Sequence, residues 1–172
     1  LSFIFFHYTF RADRDFGGYT NNTIFLSTTN SLTLENEEFN LAGLAKTINN
    51  QLTNSFLLGY SAYLELFYFN FNENGFAIAN AVLLFLSLGY LFLVAKLVKN
   101  ENVAFISVLF FATHFTTLWF SRRTLSENLL LFLTWMGIYL ILKSLKSKNF
   151  TYSMLSLFPI SLILITRIEG FG

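Results

Sequence analysis

Charge is what this sequence has least of. Only 12% of its 172 residues are Asp, Glu, Lys or Arg, about half the share of an ordinary soluble domain, while 54% are hydrophobic and 23 are phenylalanine. A water-soluble fold of this size could not hide so much apolar surface. Cysteine is absent altogether, which excludes disulfide staples, thiolate nucleophiles and cysteine metal sites. Neither sign of charge dominates, the formal net being +1, so nothing attracts nucleic acid and no nucleic-acid partner is expected. No P-loop, GxSxG, HExxH or dinucleotide fingerprint is present.

What remains is a series of long apolar runs. Crossing hydrocarbon takes about 20 mostly apolar residues in a helix, because backbone groups must pair internally where there is no water. Transmembrane helices are predicted near 75–97, 102–121, 125–143 and 149–167, the last holding the only proline, Pro159. The apolar run at 1–8 reads as the end of a first helix. Residues 9–74 read as a long external loop with amphipathic interfacial helices near 16–29 and 52–71. The predicted fold class is an all-α, polytopic membrane protein. The whole chain, 1–172, is expected to be one transmembrane domain fragment, truncated at both ends.

Short links between the four later helices put alternate loops on the same side. Lys96, Lys99, Lys143, Lys146 and Lys148 then share one face with Glu101. Arg122, Arg123, Glu127, Arg167 and Glu169 share the other with the long loop, Arg11 to Glu73. The excess of basic residues in short loops places the lysine face in the cytoplasm. All five arginines are then external, and five of the six lysines are not. A guanidinium offers a planar fork that pairs bidentately with phosphate, whereas an ammonium is a solvated point charge. The segregation fits a phosphate-bearing ligand at headgroup level; the plainer account is chance together with headgroup anchoring.

Three clusters are candidates for chemistry. In Arg11-Ala-Asp13-Arg14-Asp15, two carboxylates between arginines can bind a divalent cation such as Mg or Mn, or one can act as a general base. They can equally form a solvated turn with Asp15 starting a helix. In Ser121-Arg122-Arg123-Thr124-Leu125-Ser126-Glu127, Thr124 and Glu127 have capping-box spacing, which explains the acid but not the adjacent arginines. Arg167 and Glu169 end the last predicted helix, either snorkelling or facing a polar cavity. His114 sits within a predicted span and reads as a hydrogen-bonded packing residue rather than a metal ligand.

The order of these features resembles a known family. An Asp after the first helix end, a Gly- and Tyr-containing segment, an aromatic stretch ending at Phe71-Asn-Glu-Asn-Gly75, an R-x-x-S-E turn and a T-R-x-E-G ending look like the N-terminal part of the C-type membrane glycosyltransferases. These include the protein O-mannosyltransferases and the lipid A aminoarabinose transferases. The resemblance implies a cell-membrane enzyme with an external active face. It would move a sugar from a polyprenyl-phosphate donor to an acceptor protein or glycolipid. Carried over by position, Asp15 would be the catalytic carboxylate, with Asp13 as its substitute. Arg14, Arg122, Arg123, Glu127 and Arg167 would bind the lipid phosphate. Phe16 departs from the pattern, standing where many relatives carry Glu or Pro. The rival expectations are a multi-pass transporter or flippase and a non-catalytic membrane subunit.

Overall fold

The computed structural model describes residues 23, 33–34, 45–48, 51–54, 58–121, 123 and 125–166. Helix dominates these residues. α1 spans Leu58–Phe71, α2 Asn74–Val98, α3 Glu101–Thr113, α4 Phe115–Ser121, α5 Ser126–Ser147 and α6 Phe150–Thr166. A small antiparallel sheet precedes them: β1 (Thr33–Leu34), β2 (Ala45–Ile48) and β3 (Gln51–Asn54), in the order β1-β3-β2 with β3 central. The expectation of an all-α chain is therefore corrected in this stretch. Residues 52–54, predicted to be helical, pair as strand, with Leu52 opposite Leu34 and Thr47. The physical reason is the two-residue separation of Ile48 and Gln51, which pair directly; alternating residues around a short Asn-containing link favour a hairpin over a helical turn. Of the helix expected near 16–29, only Thr23 is described. It is helical and buried, and its hydroxyl donates to the Ser61 carbonyl at 3.3 Å.

Among the described residues two helices are long and apolar enough to cross a membrane, α2 with 25 residues and α5 with 22. A third span is available if α3 and α4 count as one, but that pair is bent by 63°. These helices support a membrane-associated protein. The uninterrupted helix predicted over 102–121 is thus corrected to two pieces meeting at His114, whose backbone is extended at φ −66°, ψ 132°. The Thr113 hydroxyl donates to the carbonyls of Leu109 and Phe110 at 2.9 and 3.2 Å, taking up acceptors of the ladder and easing the bend. α6 has 17 residues around Pro159 and so reaches only about 26 Å at the α-helical rise, short of the roughly 30 Å of hydrocarbon.

α5 packs on α2 on one side and on α6 on the other. Asn80 meets Asn128, and further along Tyr90 meets Tyr139 at 5.7 Å between ring centroids, so α2 and α5 run parallel. The α2–α3 and α5–α6 links then fall at the same end. That end carries Lys96, Lys99, Lys143, Lys146 and Lys148, with Lys96 bridging Glu101 at 3.0 Å; Arg123 and Glu127 lie at the other. Both partners of the bridge are exposed, so it adds at most about 1 kcal/mol.

The core sits at the arginine end. Tyr60 and Leu64 of α1, Phe76, Ala79 and Leu83 of α2, and Leu129 and Leu133 of α5 form one buried cluster, with Leu162 and Ile163 of α6 against it. α1 folds back on α2 after Asn72, which takes the left-handed conformation at φ 51°. The Tyr63 hydroxyl donates to the Ala79 carbonyl at 2.9 Å, and burial raises the pKa of this phenol above its ordinary value. The tightest approach is at Gly75, where a Cβ would lie 2.5 Å from the Phe67 carbonyl oxygen and 2.9 Å from the Tyr68 nitrogen. Those obstacles are backbone atoms, which cannot rotate away.

Gly75→Ala should therefore force α1 and α2 apart and cost about 1–3 kcal/mol, seen as a lower melting temperature in nanodiscs. Gly89→Ala meets nothing within 4 Å and should be neutral or stabilising by up to about 1 kcal/mol. Equal melting temperatures for the two variants would contradict this packing.

Candidate functional site

Two asparagines inside apolar helices build the most polar buried region of the described chain. Asn80, 2% exposed, projects from α2, and Asn128, 7% exposed, from the first turn of α5. An amide in such surroundings is costly unless every donor finds an acceptor. The Asn80 amide donates to the Arg123 carbonyl at 3.0 Å, and its Oδ1 accepts from the buried Tyr60 hydroxyl at 2.6 Å. The Asn128 amide donates to the carbonyls of Phe120 and Arg123, both at 2.9 Å, and to Asn80 Oδ1 at 3.2 Å. Neither residue was singled out from the sequence. Amides inside the apolar runs of α2 and α5 are the available signal.

This network holds the turn between α4 and α5. Arg123 N donates to Phe120 O at 3.1 Å and Leu125 N to Arg123 O at 2.9 Å, so the Arg123 carbonyl receives three donors. Leu125, in extended conformation, occupies the N-cap position of α5 without a side-chain cap bond. Thr124, the first member of the predicted capping box, lies outside the described residues; among those described, asparagines from α2 and α5 hold the turn. The Arg123 guanidinium stacks 4.2 Å from the Trp119 ring centroid, a cation–π contact that fixes its plane.

Beside the turn lies a cavity of about 350 Å³, within the range of small-molecule pockets. Leu84, Phe111, Phe120 and Leu131 supply its apolar walls. Its polar lining comes from Ser87, Thr116 and Thr117, with His114, Glu127 and Asn128. The bend at His114 is one of its walls, so the break that separates α3 from α4 also turns polar side chains into the cavity. His114 lies at the break between α3 and α4, its side chain exposed and tilted against Phe110 at 6.3 Å.

Of the residues predicted for a site, Arg123 and Glu127 are both described and lie at the same end of the bundle, Glu127 lining the cavity and Arg123 in the turn beside it. Asp13, Arg14, Asp15, Arg122 and Arg167 lie outside the described residues, and with them the proposed metal ligands.

The network makes a quantitative demand on stability. Asn80→Ala and Asn128→Ala should each cost about 1–3 kcal/mol, because each removes several hydrogen bonds from one buried polar network. Since they share Asn80 Oδ1 and the Arg123 carbonyl, the double variant should depart from additivity by about 1 kcal/mol in denaturant titrations. Additivity within about 0.3 kcal/mol would mean that the two amides do not act as a unit. No family model, curated protein or solved structure matches this chain.

Proposed function

We propose that this chain belongs to a multi-pass cell-membrane glycosyltransferase. It would transfer a sugar from a polyprenyl-phosphate donor to an acceptor protein or glycolipid at the outer face. The observation that carries the reading is the cavity at the arginine end of the bundle, walled by Glu127 and adjoining the pinned Arg123 turn. The sequence parity assigns Arg122, Arg167 and the Asp13–Asp15 loop to that same end, and the motif resemblance points to the same chemistry.

The mechanism needs few groups. A lipid phosphate leaves already ionised, so no general acid is required; fixed guanidinium groups stabilise the charge that builds on it. Arg123, held by its carbonyl and stacked on Trp119, is preorganised for that task together with Arg14, Arg122 and Arg167. Asp15, or Asp13, accepts the proton of the acceptor hydroxyl or orients it as the new glycosidic bond forms. Glu127 positions the arginines. The apolar wall beside them accommodates the first units of the prenyl chain.

A second reading is favoured by one observation. The 63° break between α3 and α4 beside a partly polar cavity is also how transporters and flippases build substrate paths. The two readings separate in liposomes containing the purified protein and a radiolabelled polyprenyl-phosphate sugar. The glycosyltransferase releases polyprenyl phosphate and forms a new glycoside. A flippase moves the intact lipid between leaflets.

Asp15→Asn should lower transfer at least about 100-fold without affecting insertion, and unchanged turnover would reject Asp15 as the catalytic carboxylate. Arg123→Lys keeps the charge but loses the fork and the flat stack, and should raise the KM for donor about tenfold. Because the chain has no cysteine, single-cysteine variants report sidedness directly. Leu125→Cys should react with an impermeant maleimide only from outside, and Lys99→Cys and Lys148→Cys only from inside. Reaction of all three from one side would exclude the proposed topology.

A further inference from the structure

The cavity beside α4 has a feature that the proposed phosphate chemistry does not use. All three hydrogen bonds of the Asn128 side chain are made by its amide nitrogen, to Phe120 O, Arg123 O and Asn80 Oδ1. Every one of these partners is an oxygen acceptor, so the amide cannot be turned over without setting oxygen against oxygen. Its orientation is fixed by its surroundings. The Asn128 Oδ1 therefore accepts no hydrogen bond from a described residue, on a side chain that is 93% buried and forms part of the cavity wall.

An amide oxygen on a cavity wall that accepts nothing from the described residues leaves a hydrogen bond for a ligand to supply. Around it, Thr116, Thr117 and Ser87 contribute uncharged hydroxyls, two of them already committed as donors or buried against the helix: Ser87 Oγ donates to Leu83 O at 2.7 Å, and Thr117 is buried. Opposite lie the apolar walls Leu84, Phe111 and Leu131. We propose that this cavity is a binding site for an uncharged amphiphile, whose hydroxyl donates to Asn128 Oδ1 while its hydrocarbon body fills the space against those walls. The site goes beyond the transferase reading and stands without it, since it needs neither a phosphate nor the arginines.

The protein carries its own reporter. Its two tryptophans flank the site: Trp135 meets the cavity wall Phe111 edge-on at 6.4 Å, and Trp119 precedes the wall residue Phe120 on α4. Intrinsic fluorescence of the protein in nanodiscs would be titrated with cyclohexylmethanol, with its methyl ether and with cyclohexylmethylammonium, all without any donor lipid. The alcohol should give a saturable change. The ether, in which a methyl group replaces the hydroxyl proton, should bind about tenfold more weakly, the loss expected for one hydrogen bond. Thr116→Phe, at an exposed position on the cavity wall where added bulk does not disturb the core, should abolish saturation while leaving the melting temperature unchanged.

Equal affinities for alcohol and ether would overturn the assigned role of Asn128 Oδ1. A linear, unsaturable signal that persists in Thr116→Phe would reduce the effect to partition into lipid and overturn the site. Tighter binding of the ammonium than of the alcohol would overturn the uncharged ligand class in favour of a cation held by Glu127. None of these outcomes depends on whether the protein transfers sugar.

Discussion

Two asparagine side chains in the walls of α2 and α5 reach across to the backbone carbonyls of the turn between α4 and α5 and tie it to both helices. Where water is scarce, an unpaired carbonyl is expensive, and a link between two helices exposes several of them. The carbonyls of Phe120 and Arg123 are both taken up by amide donors from helices, and the Tyr60 hydroxyl closes the remaining acceptor on Asn80. This ties α1, α2, α4 and α5 together at one end of the molecule. The buried cluster of Tyr60, Leu64, Phe76, Ala79, Leu83, Leu129 and Leu133 lies at the same end, so apolar packing and polar satisfaction reinforce each other there. Without the asparagines the Phe120 and Arg123 carbonyls would keep one backbone donor each but lose their link to α2 and α5.

The opposite end is built differently. Its lysines are exposed or held along aromatic rings, as Lys143 is between Tyr139 and Tyr152, with the ammonium 3.0 Å from the Tyr139 hydroxyl and 4.6 Å from the Tyr152 ring centroid. Asn100 caps α3 by accepting from Val103 N, and Lys148 adopts the left-handed conformation that ends α5. These are local devices, each using residues within a few positions in sequence. Local devices terminate helices, whereas the long-range network at the arginine end positions one helix relative to another.

That contrast explains what could be read from the sequence. The two long apolar runs of α2 and α5 were legible because the cost of unpaired backbone in hydrocarbon leaves a helix as the only solution, and summed hydropathy detects it. The break at His114 was not, because a window average treats Thr113, Thr116 and Thr117 as mildly polar without registering that one hydroxyl back-bonds to the preceding turn. The β2–β3 hairpin was overlooked because its aliphatic residues are few, although a two-residue link between Ile48 and Gln51 is a local signal. The Asn80–Asn128 pair is a third case: it joins residues 48 positions apart, and only the parallel register of two helices decides that they meet. Of the candidate site, Arg123 and Glu127 were legible as charges in a tight turn between two apolar runs. Their setting was not, since a cavity is a property of how helices fail to touch.

The cavity, the break and the amide pair are one arrangement seen from three sides. The bend between α3 and α4 carries Thr116, Thr117 and Phe120 away from the line of α3 and opens space against Leu84 and Leu131, which a straight helix would have closed. That displacement also brings the Phe120 and Arg123 carbonyls within reach of Asn128 and Asn80. A side chain able to stabilise the displaced backbone must present an amide nitrogen towards it, and its carbonyl oxygen is then committed to pointing elsewhere. The polarity of the cavity wall thus follows from the demands of the turn, and a ligand hydroxyl there would supply the one donor that the described residues do not.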